Sequence, residues 1–198
     1  IEHPHAPAIE ELVQESIAVA LDVYRNGSAA KERVGAFYSA LAQSENASLL
    51  SLPLSQPGDL VTWDASDLAL SYKTAQRFAA AKTANPDVLF IALGHGGVAA
   101  GIDVYLRYCD LIGSSGSTFY VARFSTQKKG DRIPQLSASE VTYLKEQGNG
   151  KRVIVFDEDS SSGKTLTLAR AYFSSLFPDQ FVETVANLDI CATLATSG

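Results

Sequence analysis

Residues 152–166 read Arg152-Val-Ile-Val-Phe156-Asp157-Glu158-Asp159-Ser160-Ser161-Ser162-Gly163-Lys164-Thr165-Leu166. An apolar strand runs into three acids. A small, hydroxyl-rich loop follows and opens an amphipathic helix. This order sets carboxylates at the carboxyl end of a strand and free backbone N–H groups at a helix start. Such a start attracts a phosphate through its orphan donors and the positive end of its dipole. Carboxylates beside a phosphate cradle point to a ligand with both hydroxyls and phosphate, or to a bridging metal. A sugar phosphate with Mg²⁺ satisfies both.

Three other readings compete for the stretch. Gly163-Lys164-Thr165 ends like a nucleotide-binding P-loop, but that loop needs a glycine five residues before Gly163. Glu158 stands there, and an acid would repel the phosphates. Asp157-Glu158-Asp159 matches the Asp-x-Asp of haloacid-dehalogenase-type phosphatases, with Asp157 as nucleophile. That motif usually opens its fold, whereas here it stands late in the chain, and the Gly163–Thr165 helix start goes unexplained. A purely structural acidic turn would leave three adjacent acids repelling one another unless a cation or donor offsets them.

The pattern outside the stretch is that of an α/β protein. Helices are predicted over 9–24 (Ile9, Leu12, Val13, Ile17, Ala20 and Tyr24 on one face) and from about Ala30 to Gln43 (Val34, Phe37, Tyr38 and Leu41 aligned). Asn26-Gly27 ends the first. Residues 44–63 form a polar connection with short extended pieces at Leu49–Leu54 and Leu60–Trp63, and Trp63 reads as a packing residue. A helix follows over about 66–84, with Leu68, Tyr72, Ala75 and Ala79 on its inner stripe.

Val88–Leu93 is a continuous apolar run, the pattern of a central parallel strand. Gly94-His95-Gly96-Gly97 leads into a helix with Val98, Ile102, Tyr105 and Leu106 inward. Thr118–Phe124 is the next strand, and 125–136 reads as a mobile loop. Ser137–Glu140 is a capping box that opens a helix to about Gln147. Val153–Phe156 carries the acids at its end. A helix over 163–177 turns Leu166, Ala169, Phe173, Leu176 and Phe177 inward, and Phe181–Ala186 is the last strand. The alternation predicts a doubly wound, mostly parallel sheet flanked by helices (63–198), preceded by a largely helical segment (1–62). Ligands of such sheets sit beyond the carboxyl ends of the strands, where the 94–97 and 157–165 loops fall.

Composition narrows the function classes. The 198 residues are 46% hydrophobic and 19% charged, enough to bury a full core. No apolar run approaches the ~20 residues of a membrane span. A net charge of −6 argues against broad attraction to nucleic acid. Cys109 and Cys191 match no metal spacing and read as small buried residues of a protein in a reducing cytoplasm. No methionine occurs, so the chain is expected to derive from processing or from a longer polypeptide. His3 and His5, beside Pro4 and Pro7, read as a terminal segment rather than a metal site.

Residues 152–166 resemble the phosphoribosyl-pyrophosphate (PRPP) motif of type I phosphoribosyltransferases: four apolar residues, two acids, a short loop, Thr/Ser-Gly-x-Thr and an apolar residue. The resemblance implies that Asp157 and Glu158 bind the ribose hydroxyls and Mg²⁺. Ser161, Ser162, Gly163, Lys164 and Thr165 would hold the 5′-phosphate, with Asp159 and Ser160 in the same PRPP-binding turn. Asp159 is an extra acid that would act as a base, bind Mg²⁺ or face solvent.

Gly94-His95-Gly96-Gly97 is similar to the family's pyrophosphate loop. His95 stands where Arg or Lys is usual, so the charge there would depend on pH. Arg123, Lys128, Lys129 and Arg132 would form the cationic catalytic loop that closes over PRPP and neutralises the leaving pyrophosphate. Arg123, on the strand end, and Lys128 would be the catalytic cations, with Lys129 and Arg132 on the pyrophosphate.

The implied activity is Mg²⁺-dependent transfer of the phosphoribosyl group from PRPP to an acceptor, releasing pyrophosphate. Purine-using members often carry an acid where Ser161 stands, which weakens a purine-salvage reading. Acceptor recognition in the family comes from a variable hood, for which residues 1–62 are the candidate. A non-catalytic relative that senses PRPP or a nucleotide stays open, as does homodimerisation, which is common in the family.

Overall fold

The computed structural model describes residues 6–28, 30–43, 63–81, 85–94, 96–113, 116–126 and 130–189. It divides into two compact units, one within residues 1–60 together with 137–140, the other 61–136 and 141–198. The first contains helices α1 (Ala6–Asn26) and α2 (Lys31–Leu41). Arg33 of α2 pairs with Asp22 of α1 at 2.9 Å. Of the predicted inward faces, Ile17 is buried, whereas Tyr24 and Tyr38 are exposed and α2 buries no residue. The predicted extended pieces before Trp63, and Cys191, lie outside the described residues.

The second unit is α/β. A 3-10 turn (Trp63–Ser66) and α3 (Leu68–Ala80) precede β1 (Val88–Gly94), α4 (Gly97–Ile112), β2 (Thr118–Arg123), α5 (Ala138–Gly148), β3 (Arg152–Ser160), α6 (Lys164–Leu176) and β4 (Val182–Asp189). The four strands form one all-parallel sheet in the order β2-β1-β3-β4. Every residue of β1 is buried, as its unbroken apolar run requires of a strand covered on both faces.

One face carries α3 and α4. Phe90 stacks on Phe119 at 5.8 Å, meets Phe156 and Tyr105 at 5.5 and 5.9 Å, and takes the edge of Phe78 at 6.4 Å. Gly101 lets α4 lie flush on this face, since a Cβ there would sit 3.0 Å from that of Ala92. The other face carries α6 and the later part of α5: Leu144, Leu166, Ala169, Phe173 and Phe177 close over Leu89, Ile91, Val153 and Val155. Helices on both faces of a parallel sheet are consistent with the doubly wound architecture expected. The capping box also forms, with Ser137 N–H donating to Glu140 Oε2 at 2.6 Å and Glu140 N–H to Ser137 Oγ at 3.1 Å.

Two expectations are corrected. Helix α3 buries Ser71, Thr74, Ala75 and Phe78, while Leu68 and Tyr72 of the predicted stripe are exposed. The cause is a polar clamp from β4. Asn187 Oδ1 accepts from Thr74 Oγ1 at 2.8 Å, and its Nδ2 donates to Ala65 O at 3.0 Å and Ser71 Oγ at 3.1 Å. With their hydrogen bonds satisfied, two hydroxyls become inward residues, and a pattern read from hydropathy alone turns the helix the wrong way. Asn187→Ala should therefore destabilise the unit by about 1–3 kcal/mol, because the Ser71 and Thr74 hydroxyls stay buried and lose partners. Chemical denaturation checks this; an unchanged midpoint would mean the clamp carries no energy.

The second correction concerns β3, which continues through the acids to Ser160 instead of ending at Phe156. Asp157, Asp159 and Ser160 pair with Ala186, Leu188 and Asp189, and β4 correspondingly runs past Ala186. Backbone pairing with a neighbour overrides the low strand propensity of acidic residues.

The amino ends of the strands are closed by side chains. Arg152 bonds Glu183 at 2.8 Å and Phe78 O at 3.4 Å, and Lys151 Nζ donates to Thr118 Oγ1 at 2.9 Å. Burial holds the Lys151 ammonium below its usual range and pushes the Tyr108 phenol up. Among the described residues no helix is long and apolar enough to cross a membrane.

Candidate functional site

The order β2-β1-β3-β4 has a direct consequence. The chain leaves β1 for β2 on one side through α4, then returns past β1 to β3 through α5, on the opposite face. The crossovers part between β1 and β3, and a crevice opens there beyond the carboxyl ends, where ligands of doubly wound sheets bind. The two segments that emerge at this point are the turn after β1 and the acidic end of β3.

Strand pairing sharpens the crevice. The β1–β3 register ends at Ala92↔Phe156, whereas β3 and β4 remain paired to Ser160↔Asp189. Asp157–Asp159, half-buried, and the buried Ser160 thus run on past the last β1–β3 pair. The start of α4 abuts that segment: a Cβ on Gly97 would lie 3.2 Å from Phe156 O and 3.3 Å from Asp157 Cα. A side chain there would need these backbone atoms to give way by a few tenths of an ångström. Asp157 Oδ1 accepts from the Glu158 N–H at 3.0 Å, which orients that carboxylate. The Glu158 carboxylate in turn lies directly over Gly96.

A cleft of about 120 Å³ is lined by Gly96, Phe124, Ser125, Thr126 and the continuous run 157–166. Gly163 caps α6 with φ 69°, a left-handed conformation that glycine adopts without strain. The Lys164 N–H donates to Ser162 Oγ at 3.5 Å, and the N–H groups of a helix's first turn have no carbonyl partner within the helix. Thr165 Oγ1 and Thr126 Oγ1 lie 2.8 Å apart and tie the segment after β2 to the head of α6. The cleft is smaller than the ~300–1,000 Å³ that encloses a drug-sized ligand. Its size suits one charged group held closely, with the remainder of a ligand outside. A wider groove of about 440 Å³ runs beside β4 and shares Ser160, Gly163 and Leu166 with it.

The structure thus brings Asp157, Glu158, Asp159, Ser160, Ser161, Ser162, Gly163, Lys164 and Thr165 to one cleft with Gly96. Gly97 touches Asp157 from behind, and Gly94 closes β1 opposite Arg123. Arg123 and Arg132 are exposed and outside the cleft lining. His95, Lys128 and Lys129 lie outside the described residues.

The segment after β2 is anchored at its base. Gln135 N–H donates to Arg123 O at 2.9 Å, Asp131 N–H to Ser125 O at 3.1 Å, and Ser125 N–H to Asp131 Oδ2 at 3.0 Å. Phe124, Ser125 and Thr126 line the cleft although no sequence motif marks them as site residues. Only the strand order, which sets the end of β2 beside β1, brings them there.

The acid pair fits a Mg²⁺ site in chemistry. Asp157 and Glu158 supply hard oxygen donors, and Mg²⁺ is commonly held by one or two carboxylates, with water and substrate oxygens completing its shell. Among the described residues no group of three such protein ligands is assembled. No protein-family model matches this chain, and no curated protein matches it significantly.

Proposed function

We propose that this chain is a phosphoribosyltransferase of the type I kind, using PRPP and an acceptor not yet identified. The observation that carries the reading is positional. The two segments whose sequences resemble the family's ribose-phosphate and pyrophosphate loops are the two that flank the β1/β3 crevice. Strand order is independent of the motif that suggested the family, so the agreement has weight.

In this reading the first turn of α6, with Ser161, Ser162 and Thr165, holds the 5′-phosphate through backbone donors and hydroxyls. Asp157 and Glu158 accept hydrogen bonds from the ribose hydroxyls, and the Gly94–Gly97 turn lies next to the pyrophosphate. The acceptor's lone pair forms the new bond to the anomeric carbon as the bond to pyrophosphate oxygen breaks. Pyrophosphate leaves with that electron pair, and the acceptor nitrogen gives up its proton to Asp159 or to solvent. Positive charge develops on the ribose in between, and the carboxylates stabilise it. Asp157 and Glu158 would hold Mg²⁺, which supplies charge neutralisation for the pyrophosphate.

A second reading, a PRPP or nucleotide sensor without turnover, draws support from Arg123 and Arg132, which stand outside the cleft lining. Calorimetric titration tests the site and release of pyrophosphate separates the readings. PRPP and ribose-5-phosphate should bind selectively over ATP. Asp157→Asn should weaken both by about tenfold or more, the worth of a hydrogen bond to a charged acceptor. A folded protein that binds neither ligand would remove the proposal. Binding with no pyrophosphate released with any acceptor would select the sensor.

A further inference from the structure

The two edges of the sheet are finished differently. At β2 the Gln135 N–H donates to Arg123 O at 2.9 Å, and the antiparallel bridge between these residues covers the end of that edge. At β4, among the described residues, the backbone from Val182 to Leu188 is bonded to β3 alone. This edge is eight residues long, against the ~5–6 of a usual strand, and keeps one register with β3 without a bulge. It contains no lysine and no proline, and its Glu183 is paired with Arg152 at 2.8 Å. Lysine, proline and bulges are the devices that keep a further strand off an exposed edge.

The β4 edge is also recessed. The groove beside it, about 440 Å³, is lined by β4 from Glu183 to Asp189 and by Arg77 of α3 and Arg170 of α6. Those six steps of a strand span about 20 Å, a length that suits an extended chain better than a compact molecule. Helices α3 and α6 cover opposite faces of the sheet, so the two guanidinium groups flank the edge from either side. Neither has an acidic partner among the described residues. Arg170 lies over the ring of Phe181 at 5.7 Å and Arg77 over that of Phe78 at 5.9 Å. Stacking restrains each guanidinium and leaves the donors of its rim for a carboxylate.

We propose that the β4 edge docks an extended segment of a partner protein whose acidic side chains meet Arg77 and Arg170. Main-chain hydrogen bonds to the edge supply affinity, and the side-chain contacts supply selectivity. Successive side chains of a strand point to opposite faces. One acid must face α3 and the other α6, which requires an odd spacing between them, as in two adjacent acids. A second copy of this chain fits less well, because its own β4 is equally recessed and the flanking helices would meet before the strands did. The inference does not depend on what the cleft binds.

A fluorescent peptide, Thr-Val-Glu-Glu-Val-Thr capped at both ends, tests this by anisotropy when titrated with the full chain at low salt. Saturable binding is expected at about 10–100 µM, weakened about tenfold by Arg170→Glu and likewise by Arg77→Glu. The isomer Thr-Glu-Val-Glu-Val-Thr, with both acids on one face, should bind about tenfold less tightly. Methylation of every second peptide amide separates strand addition from charge attraction. One pattern turns its methyl groups toward β4 and should abolish binding; the other turns them to solvent and should leave affinity within about threefold. These peptide arms use the parent protein, so they decide the matter even where an arginine variant does not fold. No binding up to about 1 mM, or equal effects of the two methylation patterns, would overturn the inference. A concentration-dependent dimer in sedimentation that excludes the peptide would also overturn it and assign the edge to a second copy.

Discussion

Thr165→Glu should weaken ribose-5-phosphate binding by about a hundredfold or more while leaving the protein as stable as the parent or slightly more so. The two halves of this expectation come from the same feature. Thr165 is the second residue of α6, whose first turn contains no acid. A carboxylate there sits at the positive end of the helix dipole and contributes roughly 0.3–1 kcal/mol. It also satisfies orphan N–H groups that would otherwise await a ligand.

Those are the donors that a 5′-phosphate would use, so the new side chain competes for them and repels the incoming charge. The cost is the hydroxyl contact to Thr126 at 2.8 Å, a neutral hydrogen bond in a half-buried setting. Calorimetry with ribose-5-phosphate and a thermal melt on the same sample read both halves. A folded variant that keeps parental affinity would show that the phosphate does not bind at the head of α6. A variant that loses both binding and stability would show instead that the Thr126–Thr165 contact holds the cleft together.

The parts of the site that lie close together along the chain are legible in its residues. Gly163-Lys164-Thr165 announces a helix start, and the apolar run Val153–Phe156 announces a buried strand. What is not legible depends on partners distant in sequence. Register with β4 keeps Asp157–Ser160 in a strand, although three adjacent acids read as a turn. The placement of Thr126 against Thr165 follows from the strand order, which no local pattern contains. The seat of Glu158 over Gly96 likewise needs β1 and β3 to be neighbours. Such features are where the chemistry of this cleft is decided, because each joins a loop from one strand to a side chain from another.

The orientation of α3 gives the other large effect, since Phe78, outside the expected inner stripe, is buried, whereas Leu68, on that stripe, is exposed. Phe78→Ala should destabilise the α/β unit by about 3–5 kcal/mol, whereas Leu68→Ala should change stability by no more than about 0.5 kcal/mol. Phe78 is 1% exposed and presents its ring edge-on to Phe90 and Tyr108, each at 6.4 Å. Its backbone carbonyl also accepts from Arg152 at 3.4 Å. Truncation removes the ring and leaves a cavity bounded by β1 and α4, which are themselves close-packed and cannot collapse into it.

Leu68 is 62% exposed, at the first position of the helix, behind the Asp67 cap that accepts from Ala69 N–H at 2.6 Å. Alanine there keeps the cap and is at least as good a helix former. Denaturant unfolding compares the two variants, with an unchanged slope showing that the same unit unfolds cooperatively in each. Equal costs, or a larger one for Leu68, would mean that α3 packs on its Leu68–Tyr72 stripe after all. The Asn187 clamp would then have to be abandoned with it, because Ser71 and Thr74 cannot face β4 while Leu68 and Tyr72 face the sheet.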